Sequence, residues 1–232
     1  MKNIIRNAFL LLVLLLCAAG CQQKGIPSTE SVVRYSQGYE LTGREKEKLV
    51  GPVHPGLFAA ADRNNPGAGQ VSIPVVPKTG ESIELPAGRY MITGYPTGNI
   101  YVLDAEGKTV LREIVGDYAG AHSLTVSIEE SYTIRADGGF DSVEVTPAAT
   151  SLQNVLTAGI WEVGTDIAPG RYTISLDETY GYLQVLEEGK EPLLYELVGG
   201  TAGRTEGSVE LKEGQWLRVT ETGAITFTPA GR

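Results

Sequence analysis

Residues that could carry acid–base or nucleophilic chemistry are few in this sequence. Histidine occurs only as His54 and His122, and Ser123 follows His122 directly. Because adjacent residues of a strand point to opposite faces of a sheet, we do not expect His122 and Ser123 to form a nucleophile–base pair. The sequence also lacks a His-Glu-x-x-His motif, a cysteine cluster and a phosphate-binding glycine loop. We therefore expect no catalytic set, no metal site and no cofactor, and interpret the protein as not being an enzyme.

Carboxylates are the only reactive side chains that are plentiful in the sequence, which has 28 aspartates and glutamates. Glu84 and Asp166 occupy corresponding positions in two similar segments. They could bind calcium or serve in acid–base chemistry, or they could accept hydrogen bonds from the amides of a turn. We favour the turn interpretation, because a repeated position usually serves a shared fold and the Asp-x-Asx-x-Asx ladder of a calcium loop is missing. A carboxylate-based hydrolase remains a distant alternative.

Tyrosines flank two corresponding loops and are the candidate ligand-binding residues. Aromatic rings beside small polar residues can stack on sugar rings, and an asparagine can bond to sugar hydroxyls. The candidates are Tyr95, Asn99, Tyr101, Tyr180 and Tyr182. The alternative is that these tyrosines pack their rings on the core and leave only the hydroxyls in water.

The N-terminus predicts a membrane anchor. Lys2 and Arg6 precede the apolar run 8–19, which is too short for a membrane span but suits a signal peptide. The small residues before Cys21 resemble the lipobox of bacterial lipoproteins. That resemblance implies cleavage of residues 1–20, a lipid on Cys21 and attachment to the extracytoplasmic face of the cell membrane.

The charge of the chain excludes several partners. After removal of residues 1–20, the chain would keep 17 basic and 28 acidic residues, a net charge of −11. Such acidity disfavours nucleic acid and anionic lipid surfaces as partners. The expected partners are the membrane, through the lipid on Cys21, and a glycan or envelope protein.

The chain after residue 70 predicts an all-β fold built from an internal duplication. Short alternating apolar runs are separated by Gly, Pro, Asp and Asn at regular spacing, which is typical of an antiparallel β-sandwich. The segment "PAGRY" (86–90) returns as "APGRY" (168–172), and later matches follow at offsets of 82 or 83. We predict a tether with short helices over 21–70, including a helix over 42–50. Two sandwich modules of about 80 residues each are then predicted over 71–150 and 151–232.

The second copy carries a recognisable motif, Trp-x-Val-Gly-x-Asp-Ile-x-Pro-Gly-x-Tyr, over 161–172. It resembles β-rich modules of secreted and lipid-anchored proteins of Gram-positive bacteria. The resemblance implies a surface location and a β fold, with the first copy as the divergent one. Within the motif, Pro169 and Gly170 suggest a type II turn.

These observations lead to one functional expectation and two alternatives. We expect a lipid-anchored surface protein whose modules bind a glycan, a peptide or an envelope component without catalysis. The first alternative is a structural or spacer lipoprotein without a small ligand. The second is the carboxylate-based hydrolase named above.

Overall fold

Strands make up nearly all of the regular structure, as the alternating apolar pattern predicts. The computed structural model describes residues 39–58, 62–176, 180–199 and 207–231. The elements before the repeated region are β1 (Tyr39–Leu41), α1 (Gly43–Val50) and a 3₁₀ helix (Pro55–Phe58). The first copy contains β2 (Val71–Ile73), β3 (Glu81–Glu84), β4 (Gly88–Tyr95), β5 (Thr97–Leu103), β6 (Thr109–Gly116), β7 (Leu124–Ile128), β8 (Thr133–Asp137) and β9 (Ser142–Pro147). The second contains β10 (Val155–Glu162), β11 (Gly170–Ser175), β12 (Tyr180–Leu186), β13 (Leu193–Val198), β14 (Gly207–Leu211) and β15 (Trp216–Pro229).

Two sheets build the fold, which is an all-β sandwich as predicted. Among the described residues, eleven strands form one large sheet in the order β1-β13-β12-β15-β10-β7-β4-β9-β2, with β11 joined to β15 and β14 joined to β11. A second, antiparallel sheet has the order β3-β8-β5-β6. The two halves of the large sheet meet at one parallel pair, Gly159 of β10 beside Thr125 of β7. This pair is an exception to the antiparallel pairing that the sequence predicts.

The hydrophobic cores divide along the two copies. One buried cluster is drawn mainly from β4 to β9 and the other from β10 to β15. The first cluster also includes three residues of the second copy, Ile160, Leu186 and Trp216. Strands β10, β12 and β15 therefore contribute side chains to both cores. The described residues also belong to one compact unit. Whether 71–150 and 151–232 are independent modules stays a prediction.

The same two hydrogen bonds occur at the start of β4 and at the start of β11. In both places a tyrosine hydroxyl donates to the backbone carbonyl four residues earlier at 2.8 Å. A distant alanine amide donates to the carbonyl of the arginine before that tyrosine, at 2.8 and 2.9 Å. Before β4, Tyr90 donates to Pro86 and Ala148 donates to Arg89. Before β11, Tyr172 donates to Ala168 and Ala230 donates to Arg171. These recurrences support the proposed duplication, which stays an inference from sequence.

The turn geometry at Gly170 differs from the type II turn that the sequence suggests. A type II turn needs φ near +80° at this position, whereas Gly170 has φ +157° and already lies in β11. The tight turn comes earlier, where the amides of Thr165 and Asp166 donate to the Glu162 carbonyl at 3.3 and 2.8 Å and Gly164 has φ +100°. In the first copy, a Cβ at Gly88 would lie 3.0 Å from the Asn65 side-chain oxygen, a tight contact that would require that side chain to shift.

The segment predicted as a tether contributes β1, α1 and the 3₁₀ helix to the fold. The predicted helix is confirmed as α1, with Thr42 as its N-cap, although the Thr42 side chain makes no capping hydrogen bond. Strand β1 pairs with β13, and Leu57 of the 3₁₀ helix enters the first core. The sequence did not predict β1.

The predicted signal peptide and Cys21 lie outside the described residues. In the part of the chain that is described, no helix is both long and apolar enough to cross a membrane.

Candidate functional site

The outer face of the four-stranded sheet places Tyr101 between two arginines. Arg112 of β6 and Arg135 of β8 are the direct cross-strand partners of Tyr101 of β5. Directly opposed residues share one face, and Ile100 and Val102 point the other way into the core. The Arg112 guanidinium lies 5.8 Å from the Tyr101 ring centre, within the range of a cation–π contact. We call Asn99, Tyr101, Arg112 and Arg135 the Tyr101 face.

Asn99 is held rigidly beside this tyrosine. Its side-chain oxygen accepts hydrogen bonds from Arg112 Nη2 at 2.6 Å and from Arg112 Nε at 3.2 Å. Its amide nitrogen donates to Asp137 at 3.4 Å. Arg135 is fixed as well, because its Nη2 donates to the Thr79 carbonyl at 2.6 Å. The Tyr101 face therefore presents planar polar groups whose positions are set before any ligand arrives.

Tyr95 and Tyr118 form an exposed aromatic pair beside the Tyr101 face. Their exposed fractions are 47 % and 75 %, their ring centres are 6.1 Å apart, and their hydroxyl oxygens are 3.4 Å apart. The backbone amide of Tyr118 donates to the hydroxyl of Thr97, two residues before Asn99, at 3.2 Å. The hydrogen bond with Tyr118 raises the pKa of Tyr95, and the negative charges of Asp141 and Asp117 raise it further.

Tyr180 and Tyr182 form a separate pair on β12 of the large sheet. Their rings are 6.3 Å apart in an edge-to-face arrangement, and the Tyr182 hydroxyl donates to Glu196 at 3.3 Å. Burial and the charge of Glu196 raise the pKa of Tyr182 well above its usual value. Tyr180 is 48 % exposed, so part of this pair faces water. Of the five predicted residues, Asn99 and Tyr101 therefore share one face of the four-stranded sheet. Tyr95 ends β4 of the large sheet and adjoins that face, whereas Tyr180 and Tyr182 lie on β12 of the large sheet.

A buried charge cluster lies where the two copies meet. Arg89 of β4 is fully buried, and its Nη2 lies 3.5 Å from Asp166 Oδ2 and donates to the Ile160 carbonyl at 3.1 Å. Its guanidinium also stacks 4.7 Å from the Trp161 ring centre. Burial lowers the pKa of Arg89 to about 10, although the charge of Asp166 opposes that shift.

The segment before the repeats completes this cluster. Arg63 donates to Asp166 at 2.7 Å and to Glu162 at 3.1 Å, and its guanidinium lies 6.0 Å from the Trp216 ring centre. The carboxylate of Asp166 also accepts the amide of Glu162 at 2.8 Å. This bond confirms that Asp166 accepts a turn amide, whereas Glu84, its sequence counterpart, is exposed.

Glu113 is the one buried carboxylate outside that cluster among the described residues. It lies on β6 and is 3 % exposed. Its carboxylate accepts hydrogen bonds from the Thr220 hydroxyl at 2.6 Å and from the Glu221 amide at 3.1 Å. Burial raises the pKa of Glu113, while these bonds and the charge of Arg218 act in the opposite direction. Glu221 has φ +60°, so Glu113 caps a sharp bend in β15. Its contacts account for a structural role.

His54 and His122, the two histidines of the sequence, have different surroundings. His54 is 3.2 Å from Asp104, and its Nδ1 accepts the Gly56 amide at 3.1 Å. His122 is exposed while Ser123 is buried. No group of three histidine, cysteine or acidic side chains within the described ranges could hold a metal ion.

Comparison with protein-family models, curated proteins and solved structures found no match to this chain. The class of protein is therefore defined by the fold alone, as an all-β sandwich with an exposed aromatic and polar face.

Sequence reasoning missed Tyr118, Arg112 and Arg135. Tyr118 carried a usable signal, because an aromatic residue inside the loop "GDYAG" has no neighbouring apolar pattern to draw it into a core. The two arginines carried none. Their position beside Tyr101 depends on strand pairings that the sequence does not state.

Proposed function

We propose that this protein is a lipid-anchored surface protein whose folded part binds a glycan without catalysis. The proposed binding surface is the Tyr101 face together with the Tyr95–Tyr118 pair. The single observation that carries the proposal is the exposed Tyr95–Tyr118 pair standing next to Asn99, whose amide is fixed by Arg112. The anchor is proposed from the resemblance around Cys21.

The two parts of this surface supply the two contacts that a sugar requires. Exposed tyrosine rings offer apolar surface to the C–H face of a sugar ring and keep a hydroxyl for hydrogen bonding. Asn99 and Arg112 offer planar polar groups to sugar hydroxyls, and their mutual hydrogen bonds reduce the entropy lost on binding. The combination favours a glycan over a purely apolar ligand.

The position of the surface supports the same proposal. The Tyr101 face lies on the four-stranded sheet, which is built from the first copy alone, and Tyr95 lies at the end of β4 in the large sheet. Glu113, which contacts Thr220 of the second copy, points to the opposite face of β6 from Arg112. A ligand could therefore reach Tyr118 and Asn99 without separating the two copies.

A glycan array probed with the soluble fragment 22–232 tests the proposal. We expect the fragment to bind a subset of glycans. Tyr118→Ala should abolish this binding, because the sugar ring loses its aromatic contact. Asn99→Ala should weaken it at least about tenfold, because sugar hydroxyls lose the hydrogen bonds of the fixed amide. Tyr180→Ala is the matched control, since it removes another exposed tyrosine, which lies on β12 and is not part of the proposed surface.

The outcomes separate the alternatives. If the fragment binds none of the glycans on the array, the proposal is overturned and the spacer lipoprotein is favoured. Release of shortened glycans during incubation would favour the hydrolase.

A further inference from the structure

We propose that the Tyr95–Tyr118 pair, with Asp117 and Asp141, binds an organic ammonium group, such as the protonated amine of an amino sugar. The inference deepens the proposed function and rests on it, because it names the chemical group that the aromatic end of the glycan surface accepts.

The geometry of the two rings suits a cation. Their centres are 6.1 Å apart, their planes are inclined by 54° and their hydroxyl oxygens are 3.4 Å apart, so the two rings converge at their hydroxyl ends. A cation against the exposed part of either ring face can lie within about 6 Å of that ring's centre, the distance over which a ring face attracts positive charge. Both rings are too exposed to be explained as core packing.

Two aspartates have backbone positions that are fixed next to Tyr95. The Asp141 amide donates to the Tyr95 carbonyl at 2.7 Å, and the Asp117 amide donates to the Pro96 carbonyl at 2.8 Å. Both aspartates are exposed, and within the described part of the chain neither forms an ion pair. The hydrogen bond with Tyr118 is the main cause of the raised pKa of Tyr95, and the negative charges of Asp141 and Asp117 add to it.

The surroundings favour an ammonium group over an anion or a small metal ion. The basic residues of the surface, Arg112 and Arg135, lie on the Tyr101 face and already donate to Asn99 and Thr79. A small metal ion needs several oxygen ligands in a fixed geometry and is strongly hydrated. An organic ammonium group can instead lose part of its hydration and contact the ring faces through its carbon substituents.

The site can be tested with small probes on the soluble fragment 22–232. Tetramethylammonium chloride and glucosamine at pH 6 are titrated against the tyrosine ring signals in NMR spectra, with glucose and sodium chloride as matched probes. We expect saturable shifts of the Tyr95 and Tyr118 signals with the two ammonium compounds, and none with glucose or sodium chloride.

Variants identify which contacts hold the probe. Tyr118→Ala should weaken tetramethylammonium binding about fivefold, since one ring face contributes about that factor, whereas Tyr118→Phe should retain it. The double variant Asp117→Asn, Asp141→Asn should weaken binding about threefold and reduce its salt dependence. Tyr180→Ala should leave binding unchanged.

The results separate this inference from the proposed function. Glycan binding that is equal for glucose and glucosamine, with no tetramethylammonium shift, would overturn the ammonium site and leave the glycan proposal standing. Saturable tetramethylammonium shifts with an empty glycan array would support the ammonium site and overturn the glycan proposal. Equal tetramethylammonium shifts in Tyr118→Ala and the unchanged protein would also overturn the site.

Discussion

The Nη2 atom of Arg89 lies 3.5 Å from the Oδ2 atom of Asp166, and neither side chain is more than 1 % exposed. The arginine comes from the first copy and the aspartate from the second. Their sequence counterparts do not repeat the arrangement, because Arg171 and Glu84 are exposed. The pair therefore belongs to the junction of the two segments and is not part of the pattern that the sequence repeats.

The first prediction concerns this pair. Asp166→Asn leaves Arg89 as a buried, uncompensated cation, so we expect the free energy of unfolding to fall by about 3 kcal/mol. Urea denaturation of fragment 22–232 measures the change. Glu210→Gln is the matched control, since Glu210 faces Arg171 at 3.8 Å with both side chains more than half exposed, and we expect a change below about 0.5 kcal/mol. Equal losses in the two variants would contradict the assignment.

The second prediction concerns the independence of the modules. We expect 151–232 to fold alone, but less stably than 66–232. The cause is that Asp166 would lose Arg89, and Thr220 and the Glu221 amide would lose the carboxylate of Glu113. Calorimetry of both fragments measures the difference. A fragment 151–232 without cooperative melting would show that the second copy depends on the first for its fold.

The third prediction is a pH dependence of stability. Burial raises the pKa of Glu113 in the folded protein above its ordinary 4.5, so ionisation costs more in the folded than in the unfolded chain. The protonated carboxyl therefore favours folding below pH 4.5, and this contribution is lost as pH rises through the folded pKa. We expect Glu113→Gln, which cannot ionise, to become more stable relative to the unchanged protein as pH rises from 4 to 8. A stability difference that does not vary with pH would contradict the raised pKa.

The fourth prediction concerns the strand pair that joins the copies. Gly159 has φ +147°, and a Cβ there would collide with the backbone carbonyl of Thr125. We expect Gly159→Ala to lower the free energy of unfolding by at least about 2 kcal/mol. Gly189→Ala is the control, because Gly189 has φ +72° with open space around it and should cost only about 1 kcal/mol. Equal costs in denaturant melts would show that contact with Thr125 is unimportant.

The fifth prediction concerns the anchor. Cys21→Ser should abolish labelling by a lipid precursor in bacterial cells and release the protein from the membrane fraction, because the hydroxyl cannot form the thioether. Immunoblotting of the fractions measures the release. Membrane retention of a cleaved Cys21→Ser protein would contradict the lipoprotein interpretation.

Local patterns predicted most of the strands. The alternation of Tyr172 and Ile174 inward with Arg171 outward is confirmed, since both apolar residues are at most 4 % exposed and Arg171 is exposed. The segments near 215–220 and 224–228 form one strand, β15, rather than two. The break was predicted because polar residues and a glycine interrupt the pattern, whereas the bend at Glu221 is stabilised by Glu113, 108 residues earlier.

Local sequence patterns could not predict the Arg89–Asp166 pair or the positions of Arg112 and Arg135 beside Tyr101. Arg89 and Arg171 occupy the same place in the repeated motif, yet one is buried and the other exposed. The difference arises because strands of the second copy cover Arg89, and that packing depends on contacts over more than 70 residues. A strand pattern indicates which face a residue takes but not what covers that face.

The free edge of β6 has a consequence for how copies of this protein behave together. The Arg112 carbonyl accepts a hydrogen bond from Arg218 at 3.2 Å, and the Ile114 carbonyl accepts the Ala121 amide at 2.8 Å. Unpaired carbonyls on an edge strand are a template for strand addition by another chain, which leads to aggregation. Because these acceptors are already occupied within the chain, this edge resists such joining even where many copies are crowded side by side.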